Sequence, residues 1–584
     1  PVTGVRGVTK REGCFAPVPA SAKVPAARLR SRVALSRDDV VMRAGVVALA
    51  GVLLLIVGLP LWSLLAKGFE DKTGAYVGLA NYVTYFSTPA LFDSALNSLH
   101  VAAAATLIVV PLAFLYAYAL TRAVLPLRWL FQGISLIPIF APSLLPGLAL
   151  IYLFGNQGFF KGVLGGPIYG FDGILIAQVF YCFPHATLIL VTALATADAR
   201  LYEAADVLGA SRVRVFFTVT LPGAKYGLIS AALVVFTLVI TDFGIAKVIG
   251  GNFNVLATDV YKQVIGQQNF SMGAVVGMVL LAPAALAFVV DRVVQRKQVA
   301  LLTARAVPLV PRPKTGRDML FTAYCTVVSI GILAILGMAA WGSLIKYWPY
   351  NLSLTLDNYE FSNFDANGWM SYFNSLEMAV LAAVGGTTLM FVGAWLNERT
   401  RDFFIMRGIV QFLAFLPMAV PGLVLGLGYI FFFNAPGNPL NFLYATMGIL
   451  AINCVAHFYT VGHLTATTAL KQIDPEFESV SASLKVPVWR TFSRVTAPIC
   501  LPAILDIAIY LFVNAMTTVS SVIFLYAPDT KLASVAAVNI EETGATAAAA
   551  ALCIVIVVTS AAVKALHLLA DRYLLGRLQA WRRR

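Results

Sequence analysis

Apolar residues in this chain fill whole stretches instead of alternating with polar ones. Twelve runs stand out: 44–66, 97–120, 129–154, 173–196, 227–246 and 271–290, then 319–343, 372–396, 409–433, 445–468, 501–523 and 546–570. Each holds about 20 residues, enough for a helix to cross ~30 Å of hydrocarbon. In lipid a backbone must satisfy its own hydrogen bonds, so runs this long predict spanning helices. The expected fold class is an all-α integral membrane protein with about twelve transmembrane helices.

The polar segments between the runs set the expected orientation. With the N-terminus inside, the inner segments hold 34 of the 42 Lys and Arg residues. The outer loops hold only lysines, at 67, 72, 161, 247, 262, 346 and 531, and no arginine. This is the positive-inside pattern, with both termini cytoplasmic. It also explains the net charge of +14 without a nucleic-acid partner. The chain is 59% hydrophobic and 12% charged, which excludes an ordinary soluble domain and names the lipid bilayer as a partner. No cleavable signal peptide is evident. Residues 1–43 are expected to form a disordered basic cytoplasmic tail, and 568–584 a second basic tail. The six cysteines form no CxxC pair, so buried inert thiols are expected, with neither a disulfide framework nor a metal site.

The chain also repeats itself. Asn97-Ser98-Leu99 returns as Asn374-Ser375-Leu376, Pro142 and Pro146-Gly147-Leu148 as Pro417 and Pro421-Gly422-Leu423, and Thr192-Ala193-Leu194 as Thr468-Ala469-Leu470. Thr220-Leu221-Pro222 returns as Thr496-Ala497-Pro498. The order and near-constant spacing predict duplication of a six-helix unit, giving two parallel repeats. The expected division is 44–92 for the first helix and an outer loop, and 93–290 for the first repeated domain. A cytoplasmic linker at 291–318 follows, then 319–369 for the seventh helix and its loop, and 370–567 for the second domain.

One inner loop carries the most informative pattern: Glu203-Ala204-Ala205, Gly209, Val219 and Leu221-Pro222. Glu and paired Ala favour a short helix, and Gly209 supplies a turn after it. The loop resembles the EAA motif of permease subunits of binding-protein-dependent bacterial ABC importers. The resemblance covers roughly 93–290 and again 370–567, and implies a type I importer permease with both halves fused in one chain. It implies that Glu203, Ala204, Ala205, Gly209, Leu221 and Pro222 form a coupling helix against a separate ATPase. The second copy departs from the motif: Ser479 stands for Glu203, Val480 and Ser481 for the alanines, Lys485 for Gly209, and Pro498 keeps the proline. A lysine adopts a left-handed turn less cheaply than glycine, so docking there is expected to differ.

The chain contains no GxxxxGK[ST] phosphate loop, and Gly155–Lys161 lacks its spacing. No cofactor is expected in the chain itself. The resemblance places ATP and magnesium on a partner ATPase, as a pair of subunits, and implies a periplasmic solute-binding protein and location in the bacterial inner membrane.

Ionisable groups inside spans are candidates for a solute path. Asp242, its repeat mate Thr518 and nearby Asn514 are the residues expected to line it, with His185 and Glu377 as weaker candidates. Asn97 and Asn374 are expected to cap helix starts. Trp341, Trp348 and Tyr350 are expected to anchor an interface. The spans hold no paired acids, HExxH or nucleophile motif, which argues against an enzyme and leaves no catalytic residue to name. A secondary transporter also accommodates parallel halves but not the EAA-like loop. Residues 510–520, 524–528 and 477–484 resemble 2-aminoethylphosphonate permeases, with the related ferric-iron permeases as the alternative.

Overall fold

The computed structural model describes residues 37–572, apart from 164, 167, 300–306, 308, 401 and 475. Among the described residues, nine helices are long and apolar enough to span a membrane, and three bent pairs bring the number to twelve. The first half comprises Arg37–Lys67, Pro89–Arg122, the pair Arg128–Phe140 and Leu144–Phe154, Phe171–Ala195, Arg212–Thr241 and Phe270–Gln295. The second comprises Thr315–Ser343, Met370–Arg399, the pair Phe404–Ala419 and Gly422–Phe433, Met447–Lys471, the pair Val488–Ile499 and Leu501–Thr517, and Thr546–Ala570. The protein is therefore all-α in its spans, with one small antiparallel hairpin, Ile345–Tyr347 against Asn351–Leu354.

Several expected boundaries move. Most of the tail expected over 1–43 lies outside the described residues, but from Arg37 the chain is helical. Asp38 and Asp39 in that first turn suit a helix N-terminus. The tail expected over 568–584 is described only to residue 572. The linker expected over 291–318 is helical at both ends, to Val299 and again from Thr315. Cys14 lies outside the described residues, and the other five cysteines are buried and join in no disulfide among the described residues. Asn97 and Asn374 do not cap helix starts. Their helices begin earlier, at Pro89 and Met370, and each side chain instead donates across its half, to Asn254 O and to Lys531 O.

Proline explains the bends. The third and ninth spans turn by 102° and 117°. At each turn the residue before a proline, Ala141 or Val420, is extended, with ψ of 137° and 119°. Proline forces that conformation on its predecessor and withholds an N–H from the ladder. The eleventh span bends by 74° at Cys500, between Pro498 and Pro502. Pro502 has no hydrogen to give the Pro498 carbonyl four residues back, so the ladder breaks there. The matching fifth span has only Pro222 and stays one helix, Arg212–Thr241.

The duplication extends to individual hydrogen bonds. Leu256 N donates to Ser98 Oγ at 2.7 Å, and Ala533 N to Ser375 Oγ at 2.8 Å. Arg122 donates to Leu194 O at 2.8 Å, and Arg399 to Leu470 O at 3.1 Å.

The halves interlock by exchanging their first helices. The first span packs on the eighth and ninth, and the seventh packs on the second and third. Tyr429 of the ninth span donates to Ile56 O of the first at 2.7 Å, and Tyr324 of the seventh to Leu112 O of the second at 2.7 Å. Small residues allow this close approach. A Cβ on Gly428 would stand 2.6 Å from Pro60 O. Gly428→Val is therefore expected to cost about 1–3 kcal/mol, read as a lowered melting temperature in detergent. Gly331→Ala, where a Cβ meets nothing within 4 Å, should be neutral or slightly stabilising in the same assay.

The stretches expected as loops after the fifth and eleventh runs are instead part of the core. Helix ends at Thr241 and Thr517, short of the expected 246 and 523. Gly244–Ile249, Leu256–Tyr261 and Ala533–Glu542 then form short helices that are largely buried. They satisfy their own backbone while lacking the length of a span, which a hydropathy run does not distinguish from a loop.

Candidate functional site

Each of these two breaks places a polar residue between the halves. Asp242 and Thr518 end their helices with matching extended backbone, ψ of 133° and 135°. Asp242 Oδ2 accepts Gln178 Nε2 at 3.1 Å and Ile245 N at 3.0 Å, so it caps the short helix that follows. Thr518 Oγ1 meets Ser521 Oγ at 3.0 Å, and its N–H donates to Asn514 O at 2.9 Å.

Asp242, Asn514 and Thr518 line one cavity of ≈ 450 Å³, bounded by both halves. Tyr181, His185, His457 and Tyr510 also line it. Among the described residues, its lining includes neither Lys nor Arg, and Asp242 is its one carboxylate. Glu377 is exposed on the eighth span and is not among the lining residues. Sequence reasoning missed His457, Tyr181 and Tyr510. The available signal was position: His457 is the repeat mate of Tyr181, so both halves set a polar ring at the same depth. Among the described residues, no three of His, Cys, Asp or Glu converge as a metal site.

On the side opposite the 197–226 loop, the short helices seal the halves together. Phe243 meets Tyr261 with ring centroids 5.1 Å apart, and Tyr261 stacks on Phe524 of the other half at 6.3 Å. Lys247 lies over the Tyr261 ring and ion-pairs with Glu542 across the halves. Burial pushes the neighbouring Glu541 up to about 7, against the pull of Lys247. Further out, Trp341 and Trp348 pack with Phe159 in an aromatic cluster, while Tyr350 is exposed.

The EAA-like residues stand at the opposite end. Ala199–Val207 is a short helix capped by Asp198, whose side chain accepts Arg200 N. Glu203 and Ala204 face outward and Ala205 inward. Val207 and Leu208 are 88% and 84% exposed, an apolar tip that the fold itself leaves uncovered. Gly209 takes φ +67°, the left-handed turn expected of it. Tyr202 ties the helix down, donating to Thr220 Oγ1 at 3.0 Å beside Leu221 and Pro222, which open the straight part of the fifth span.

The second loop has the same backbone despite its different residues. Glu476–Ser483 is helical. Val486 N donates to Ser481 O as Ala210 N does to Ala205 O, both at 3.0 Å. Lys485 takes φ +53° where Gly209 takes +67°. Ser479 is exposed on this helix, and Pro498 sits in the short piece Ala497–Ile499 before the bend. Left-handed backbone costs a residue bearing a Cβ roughly 1–2 kcal/mol. Lys485→Gly is thus expected to stabilise the protein by up to about 1 kcal/mol, seen as a raised melting temperature; an unchanged or lowered value would mean that Lys485 makes compensating contacts.

Comparison with known proteins agrees with this architecture. Residues 109–299 and 389–574 both match the family described as binding-protein-dependent transport system inner membrane component. The chain is 29% identical over 444 residues to a putative ferric transport system permease protein FbpB 1 of Haemophilus influenzae, covering 73% of this chain and 69% of that protein. It is 29% identical over 458 residues to the ferric transport system permease protein FbpB of Actinobacillus pleuropneumoniae, covering 75% of this chain and 65% of that one. It is 30% identical over 162 residues to the molybdenum transport system permease protein ModB of Escherichia coli K12, covering 26% of this chain and 69% of ModB. With both halves matched over most of their spans, the chain belongs to the binding-protein-dependent transport system inner membrane components, as a fused, multi-pass permease subunit of the ABC-importer class.

Proposed function

We propose that this permease imports 2-aminoethylphosphonate by alternating access, driven by a separate pair of ATPase subunits and fed by a periplasmic solute-binding protein. ATP and magnesium would be held by the ATPase, and this chain supplies the path and the coupling surfaces. In this reading the loops at Glu203 and Ser479 and both termini face the cytoplasm. The observation that carries it is the pair of loops with matching backbone at one end of a cavity walled by both halves. Closure of the ATPase pair would draw the loops together and part the contacts at Phe243, Tyr261 and Lys247, opening the cavity outward. Return of the loops would restore the contacts at Phe243, Tyr261 and Lys247.

The cargo reading rests on two supports. Residues 510–520 and 524–528 resemble those of phosphonate permeases. The cavity sets one carboxylate, Asp242, among hydroxyls, phenols, imidazoles and the Asn514 amide, a surface that suits a zwitterion with one ammonium and one oxyanion. A second reading, ferric iron, is favoured by the two FbpB relatives.

Growth of a deletion strain separates the readings. On 2-aminoethylphosphonate as sole phosphorus source it should fail, and this gene should restore it. Failure only under iron limitation would move the cargo to iron. Uptake that survives loss of the ATPase would instead indicate an ion-coupled transporter.

A further inference from the structure

The central cavity continues toward the loops. Met418 and Val461 line it and also line a second cavity of ≈ 490 Å³. That cavity follows the tenth span from Val461 to Gln472 and reaches Ile499, Cys500 and Pro502 at the bend of the eleventh. Gln472 and Ile499 flank the segment holding the second loop, so this is the inward leg of the path. The bend of the eleventh span borders it, a feature the straight fifth span lacks.

Among the described residues, the one charged side chain lining this leg is Asp506. It is 56% exposed and faces His567 Nε2 at 3.6 Å. Lys564 Nζ lies 3.3 Å from His567 Nδ1. A lysine ammonium only donates, so Nδ1 accepts and the imidazole proton sits on Nε2, toward Asp506. His567 thus stands on one side of the carboxylate with Lys564 beyond it, and Asp506 also borders the cavity. In the repeat Asp506 stands where Ser230 stands, and Asp242 where Thr518 stands, so each half supplies one acid at a different depth. Asp506 lies 12 residues before Thr518, about 18 Å of helical rise.

Among the described residues, neither cavity lining includes a lysine or arginine. Carboxylates in a cleft with low-dielectric walls focus a negative potential along it. Taking the cavity as the transport path, as proposed above, we infer that Asp242 and Asp506 are successive stations for a positively charged group of the cargo, an ammonium or a metal cation. A cargo that is only an oxyanion would meet both with the wrong sign.

The test reads the path and the cargo separately, on the permease assembled with its ATPase. Thr468→Cys places a thiol in the lower cavity, in a Cys500→Ser background. Its modification is timed with a trimethylammonium-bearing and a sulfonate-bearing methanethiosulfonate, each scaled to its rate with a free thiol. The cationic reagent should react about tenfold faster, and Asp506→Asn should remove most of that preference while Asp506→Glu keeps it. An unchanged ratio in Asp506→Asn, or no preference at the start, overturns the inference. Reconstituted uptake of 2-aminoethylphosphonate, ferric iron and ethylphosphonate then addresses cargo. Uptake of ethylphosphonate, which lacks the ammonium, as fast as the amine overturns the inference too. A retained reagent preference with transport of iron alone supports the stations while removing the phosphonate reading.

Discussion

Glu203→Lys is expected to abolish most ATP-driven uptake while leaving the protein folded and in the membrane. Glu203 is exposed on its loop helix, and substitutions at such positions usually change stability by no more than about 0.5 kcal/mol. Its neighbours on the same element include the uncovered tip of Val207 and Leu208. Losing one partner of a buried charge pair costs about 2–5 kcal/mol of binding, so with Glu203 buried on docking uptake should fall by about 30-fold or more. Ser479→Lys, at the matching point of the second loop, replaces a side chain with no charge to lose. Its effect should stay below about threefold, within the usual range for a rim position. The measurement is uptake into proteoliposomes at matched amounts of permease, with permease-stimulated ATP hydrolysis alongside. Normal uptake by Glu203→Lys would reject the coupling role of this loop.

Asp242→Ala is expected to have the second-largest effect, acting on both fold and transport. Losing the acceptor for Ile245 N–H removes a helix cap, typically about 1 kcal/mol. It also strands the Gln178 amide, which is 1% exposed, at a further ~1–3 kcal/mol. Melting in detergent should register the sum. Asp242→Asn keeps an oxygen to accept from Ile245 and loses only the charge. Its melting temperature should lie near that of the unmodified protein, while uptake falls by about tenfold, the effect of a lost charge–charge contact in a shielded cavity. If Asp242→Asn transports normally, the carboxylate serves only as a cap.

Which parts were legible depended on how local the cause was. The twelve runs were legible because spanning helices need sustained apolar length. The bends have a local cause in Pro142 and Pro421, but nothing local sets that the spans turn through 102° and 117°. The segment after Asp242 was misjudged because a short buried helix and an outer loop can share one composition. Lys247 sits there, and Lys531 in the matching segment after Thr518; their partners, Glu542 and Asp365, are remote in sequence. The turn at Lys485 shows the reverse case. The residue disfavours a left-handed backbone, yet the repeat imposes it, since Val486 N still donates to Ser481 O and closes the helix as in the first half.

By itself the sequence determined the all-helical membrane class, the duplication and the EAA-like loop. These follow from periodicity, spacing and charge, which act within a span or a turn. Only the tertiary structure decided that the first helices are exchanged between halves, that Tyr429 and Tyr324 bond across that exchange, and that His457, Tyr510 and Asp242 share a cavity. It also brought Asp506 to His567. In lipid no hydrophobic gradient ranks one apolar helix face against another. The choice of neighbour rests on close packing and on a few cross-span hydrogen bonds, whose partners lie tens to hundreds of residues apart.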